Sequence, residues 1–387
     1  MGAPIRRVWL QTSVKLPLAA WIGAVAVMLG PFYVFPSGGP QPADALFVLA
    51  MGVLALGHGK TFRWRREATP FLALGVALVI WVTVVNTAWT GITGALTVSK
   101  SSLFYLYNIA VMASMVLLYS AAGEQCLKGF AWVVGAALLL QVVLSPIGMN
   151  FGHLRQNLFY NNPNQLGLYA LLSGSVIYAA SMRWTIRPRW VVLSLMCVVY
   201  LVLLTTSRGA MLGCVVLLLL FSVRHPRQAI PLLVAVGLAY LVFALIGSDV
   251  DATMNRFSDM DPGRGARGYD RMLNQPHYYF LGAGEGDPHR FGSILEGELH
   301  SSWGTLLFSY GLVGFGLYLG MIYQIVRFGG WRWLLPLAPV SIYGLSHQGF
   351  RFTQYWLLVA FMFCIVLEQW RSKQGVKGSN QNKLAPF

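Results

Sequence analysis

Apolar residues in this chain fall into long runs, separated by short polar or basic segments. A membrane-crossing helix needs roughly 17–25 apolar residues. About twelve runs meet or approach that length: 17–36, 43–59, 70–89, 103–121, 127–147, 164–182, 190–206, 208–223, 229–247, 301–326, 333–350 and 352–370. The runs 190–206 and 208–223 are parted only by Thr205-Thr206-Ser207-Arg208-Gly209. An arginine and a glycine at that point predict a hairpin at the membrane surface, with one long helix as the alternative. The pattern therefore predicts an all-α integral membrane protein, a single polytopic domain over residues 1–387.

Composition agrees with that reading. Of the 387 residues, 56% are hydrophobic and 11% charged, whereas a soluble domain carries roughly 25% charged residues. The chain is nevertheless basic, with a net charge of +15. Basic residues stay preferentially in cytoplasmic loops. Twelve spans with both termini inside place Arg6, Arg7, Lys15, Lys60, Arg63, Arg65, Arg66, Lys128, Arg183, Arg187, Arg189, Arg224, Arg227, Arg327 and Arg332 on the cytoplasmic side. A basic tail at 371–387 completes that set. The charge then reads as a topology signal with anionic-lipid contact, not as a nucleic-acid footprint. The apolar run after Arg6-Arg7 is longer than a signal-peptide core, so cleavage is not expected. Cys126, Cys197, Cys214 and Cys364 lie in or beside spans without metal-ligand spacing.

Two outer connections stand out, 148–163 and 248–300. The second holds nine of the thirteen carboxylates, and long ordered loops often carry function. Within it, 264–275 is predicted as a short helix with Arg264, Arg267 and Arg271 on one face. Three guanidiniums there could clamp an anion, or pair with Asp259 and Asp270. The stretch Leu281-Gly282-Ala283-Gly284-Glu285-Gly286 reads as a tight turn or as close backbone approach to a ligand. His300 is expected beside a helix N-terminus, whose dipole disfavours imidazolium. It is a candidate proton acceptor or a helix cap. Arg208 lies between apolar runs, where an ionisable group is a functional candidate unless it snorkels to the surface. Arg155 and Asn161-Asn162-Pro163-Asn164 add to the same face.

These segments resemble the bacterial O-antigen polymerase and ligase superfamily. Arg208-Gly-Ala-Met-Leu212 matches the R-x-x-x-L motif of the ligase branch. His300-Ser301, nine residues, then Gly311-Leu-Val-Gly314 is similar to its histidine motif, with Phe315 where threonine is usual. Asn162-Pro163-Asn164 and the glycine-rich stretch are similar too, and the likeness spans about 150 to 330.

The resemblance implies a GT-C-type glycosyltransferase of the bacterial inner membrane, its active site facing the periplasm. Neither a cofactor nor a required metal is implied. The donor would be a glycan on undecaprenyl pyrophosphate. The acceptor would be a second lipid-linked glycan for a polymerase, or lipid A-core for a ligase. Arg208 and His300 match functional positions. Arg155, Arg264, Arg267 and Arg271 are candidates for holding the diphosphate. The missing threonine and compact loop lean toward polymerase. A twelve-span transporter or flippase is the alternative of another class.

Overall fold

The computed structural model describes residues 16–36, 38–57, 65–150, 155–228, 230, 233–234, 236–238, 268–286, 288–291 and 299–381. All regular structure among them is helical. In chain order the helices are α1 (Leu18–Leu29), α2 (Pro42–Gly57), α3 (Thr69–Thr93), α4 (Leu96–Ala122), α5 (Glu124–Gly148), α6 (Pro163–Arg183), α7 (Pro188–Thr205) and α8 (Arg208–Arg224). They continue with α9 (Tyr269–Asn274), α10 (Tyr278–Leu281), α11 (Tyr310–Gly329), α12 (Ala338–Tyr343) and α13 (Thr353–Gln381). Among the described residues seven stretches are long and apolar enough to cross a membrane: Arg66–Thr93, Leu96–Ala122, Glu124–Gly148, Pro163–Arg183, Pro188–Thr205, Ser302–Gly329 and Thr353–Gln374. α1 and α2 are shorter apolar helices.

The sequence's punctuation sets the boundaries. Pro163 and Pro188 stand in the first turns of α6 and α7, where the missing N–H costs nothing. α3 ends at left-handed Gly94, and α4 gives way to α5 at Gly123. The expected hairpin at Thr205–Gly209 is present rather than one long helix: Thr206 is left-handed (φ 46°), and α8 starts at Arg208.

One expectation needs correction. The run 333–350 is not a continuous spanning helix. It is a 3-10 helix, Trp331–Leu337, then six-residue α12, then turns through 344–351. Pro336 and Pro339 interrupt the α hydrogen-bond ladder, and Gly344 and Gly349 follow. α13 runs on past the expected span 352–370 to Gln381. The run 229–247 lies largely outside the described residues.

α6 and α13 form the centre of the bundle. In α6, 89% of the most apolar window is buried, and in α13 72%. Lipid tails supply no hydrophobic drive between helices, so close approach depends on small residues. Gly167 and Gly174 of α6, a heptad apart, let Ala210 and Leu217 of α8 approach so closely that a Cβ at either glycine would lie 2.7 or 2.4 Å from them. Gly213 of α8 does the same for Leu171 and for the Pro339 carbonyl at α12, both 2.7 Å from such a Cβ. These stripes fix α8 between α6 and α12.

Charged groups collect at one end of this bundle. Arg65 pairs with Glu368 at 3.4 Å and Arg183 with Glu124 at 3.3 Å, while Arg224 donates to the Ser181 carbonyl at 3.1 Å. These arginines all belong to the segments read as cytoplasmic. The α6 and α8 N-termini, Arg155 and Arg208 lie at the opposite end.

Candidate functional site

That opposite end is organised around a break in the helix running from 302 to 329. Ser302–Gly304 is one α turn, Thr305–Ser309 is π-helical, and α11 carries left-handed Gly311 (φ 66°). Single π turns inside α-helices recur at functional sites, because they free backbone groups from the i→i−4 ladder. Here the glycine-rich stretch meets the freed carbonyls. Ala283 N–H donates to Phe308 O at 2.8 Å and Gly284 N–H to Ser309 O at 2.9 Å. Such contact needs bare backbone on both sides: a Cβ on Gly282 would lie 2.4 Å from Ser309 O, and one on Gly311 2.4 Å from Phe280 O. The glycines thus serve close approach, with the chain's own broken helix as the surface approached.

Glu285 follows directly and is buried (6% exposed). Arg351 holds its Oε1 through Nε at 2.7 Å and Nη2 at 2.5 Å. Tyr310 donates to Oε2 at 2.6 Å. Gln348 Nε2 reaches Oε1 at 3.3 Å and Thr305 Oγ1 at 3.0 Å, and Glu285 N–H donates to Asn86 Oδ1 at 3.0 Å. Beside this network is a cavity of about 30 Å³ lined by Arg271, Arg351, Glu285, Thr305 and the backbone at Gly284 and Ser309. That is water-sized, far short of a glycan.

Arg271 is placed differently from expectation. The helix expected over 264–275 starts at Tyr269, because Gly268 is left-handed (φ 72°). Arg271 points inward to the cavity, 7% exposed, with Phe291 5.6 Å from its guanidinium. Burial lowers its pKa from the ordinary arginine value, but arginine stays charged in proteins. Arg264 and Arg267 lie outside the described residues.

His300 is exposed. The cap is its neighbour Ser301, whose Oγ accepts from Gly304 N–H at 3.0 Å and donates to Gly344 O at 3.2 Å. Tyr269 donates to Leu345 O and, at 3.4 Å, to His300 O. Ser302 N–H bonds Gly344 O at 2.8 Å, and its Oγ bonds His347 O at 3.0 Å. The 300–302 arm is therefore stitched to the 344–349 turn.

That turn also reaches α8. His347 stacks on Tyr343 with ring centroids 4.7 Å apart and accepts or donates at Nδ1 with Ser346 Oγ at 2.9 Å. A Cβ on Gly209 would sit 3.1 Å from His347 Nδ1. Tyr343 OH donates to Asn164 O at 2.9 Å. Arg155 donates from Nη2 to Asn164 Oδ1 at 2.9 Å and from Nε to Thr205 O at 3.2 Å. Arg208, half-buried in the first turn of α8, makes no hydrogen bond or ion pair with another described residue. Behind it, Thr206 Oγ1 and Ser207 Oγ are buried without a hydrogen-bond partner.

Arg155, Arg208 and the His300 arm thus gather at one end, joined by Asn164, Tyr343 and His347. Glu285, Gln348, Arg351 and His347 were not among the sequence candidates for the site. Arg351 carried the same signal as Arg208, an arginine between apolar runs. Glu285 carried none beyond its place in the glycine stretch. Among the described residues no group of three or more His, Cys, Asp or Glu could hold a metal ion.

Fold and composition define the class, an all-helical multi-pass membrane protein. No protein-family model matches the chain, and no curated protein matches it.

Proposed function

We propose that this protein is a GT-C-type glycosyltransferase of the bacterial inner membrane. It would move a glycan from undecaprenyl pyrophosphate to an acceptor hydroxyl at the periplasmic end. Polymerisation of lipid-linked repeats is the preferred form, and ligation to lipid A-core the alternative. The observation carrying this reading is the meeting of Arg155, Arg208 and the arm bearing exposed His300 at one end of the bundle.

In the reaction, His300 takes the proton of the acceptor hydroxyl. The oxygen attacks the anomeric carbon on the face opposite the diphosphate. The bond from that carbon to the diphosphate oxygen breaks, inverting the centre. Undecaprenyl pyrophosphate leaves, and arginine guanidiniums stabilise its developing charge. Arg208 suits that role because its guanidinium has no described protein partner, and arginine forks onto phosphate oxygens.

Purified protein incubated with a lipid-pyrophosphate oligosaccharide tests this, alone and with lipid A-core. Chain growth without core indicates a polymerase, and transfer only with core a ligase. If neither product forms, the glycosyltransferase reading is abandoned.

One observation favours a transporter instead. Discontinuous helices beside buried ionisable groups mark transport sites, and the helix 302–329 is broken next to Glu285 and Arg351. Movement of labelled lipid-linked glycan across proteoliposomes, without product formation, would decide for that reading.

A further inference from the structure

The Glu285–Arg351 pair is expensive where it lies. Glu285 is buried and the Arg351 side chain is 23% exposed; drawing such charges out of water costs much of what their attraction returns, and apolar replacements of similar volume are often as stable or more so. Such a pair is poor evidence of stabilisation, and its best-attested benefit is fixing one arrangement among several. What it fixes here can be read from its partners. Glu285 belongs to the glycine-rich stretch that covers the helix break. Its carboxylate grips Tyr310, on the α11 side of the break, and Gln348 and Arg351, in the turn after α12. Gln348 also holds Thr305 in the π turn. The same turn carries His347, which lies against Gly209 beside Arg208, and bonds Ser302 next to the His300 arm.

We propose that Glu285 is a positioning residue. Its carboxylate locks the 344–351 turn to the broken helix and so sets His300 and His347 in register with Arg208. The chemical part of this inference rests on the glycosyl-transfer reading; the structural part does not. Glu285 acts through these neighbours and need not touch substrate.

The test uses the full chain in detergent and two variants, E285Q and the double variant E285L/R351M. The double variant removes both charges together, so no unpaired buried guanidinium is left to unfold the protein. Hydrogen exchange is read by segment, together with thermal denaturation and transfer kinetics. We expect both variants to speed exchange at 301–305 and 344–351 by about tenfold or more. Exchange in α3, α4 and α13 should stay as in the parent, and the double variant should keep the parent's Tm. In transfer assays kcat should fall while KM for the lipid-linked donor stays near the parent value, and E285D should restore part of kcat. Unchanged exchange in the two segments overturns the positioning role, whatever the reaction. A uniform rise across all helices also overturns it, since that is global destabilisation. If the parent protein transfers no glycan, the functional reading falls while exchange still decides the role of Glu285.

Discussion

Two segments of this protein share one local pattern, an arginine between apolar runs, and meet opposite fates. Arg208 and Arg351 each stand alone between apolar runs, at the same end of the bundle. Arg351 is committed: two of its nitrogens hold the buried Glu285 carboxylate. Arg208 opens α8 with no described partner, above two buried hydroxyls that are also unpartnered. A lone arginine in an apolar context marks a special position without saying which kind. Its partner decides: a carboxylate makes it part of the scaffold, and the lack of one leaves the guanidinium for an outside anion.

The sharpest way to break this contrast is Glu285→Ala. It strands Arg351 in a site where its side chain is 23% exposed. Breaking a buried pair from one side costs about 3–5 kcal/mol. Thermal denaturation of the purified variant should show that loss as a large fall in Tm. A near-parental Tm would mean that Arg351 finds water or another acceptor, and the two arginines would then be alike.

Gly311→Ala strikes the break itself. The new Cβ meets Phe280 O at 2.4 Å in a left-handed backbone (φ 66°). Overpacking and the left-handed penalty together come to about 2–5 kcal/mol. The same change at Gly316 meets nothing within 4 Å and should be tolerated. Equal Tm values for the two variants would remove the special status of the helix break.

Arg208→Lys and His300→Ala test the other arm. Neither side chain is fully buried, so each should leave Tm within about 0.5 kcal/mol of stability. On the glycosyl-transfer proposal each should reduce glycan transfer about a hundredfold or more, through a lost diphosphate fork and a lost proton acceptor respectively. Parental transfer rates in either variant would withdraw that residue's role.

Much of this contrast was open to reading in the sequence, and the rest was closed for physical reasons. Long apolar runs specify helices and their ends, because proline and glycine stop them. So α3 to α8 and α13 were legible. The segment 333–350 was not: its apolarity is as high as a span's, and only Pro336, Pro339 and the later glycines show that it is broken. Arg208 stood out because charge between apolar runs is costly, and His300 because it stands just before a helical turn; the structure brings both, with Arg155, to one end of the bundle. Of the helix expected over 264–275, the part from Tyr269 to Asn274 was legible, and Gly268 before it takes a left-handed turn. Glu285 was hidden for a different reason. The three side chains that hold its carboxylate, Tyr310, Gln348 and Arg351, lie 25 to 66 residues away, and no local pattern encodes such pairings.

The smallest effects come from the two serines that precede helical turns at this end. Ser301 caps its turn in the ordinary way, accepting from Gly304 N–H and donating to Gly344 O. Ser301→Ala should cost about 1 kcal/mol, as N-cap removal usually does. Ser207 holds the matching place before α8, yet its Oγ bonds nothing and is buried. Deleting a hydroxyl that has no partner removes no bond and relieves its desolvation. Ser207→Ala should therefore lie within about 0.5 kcal/mol of the parent or slightly above it. If thermal denaturation instead gives it the full N-cap cost, Ser207 caps α8 in solution and the hairpin around Arg208 is as self-contained as the turn around Arg351. If stability holds while transfer falls, the hydroxyl spared from capping serves the substrate, and the difference between the two arginine segments extends to the residues around them.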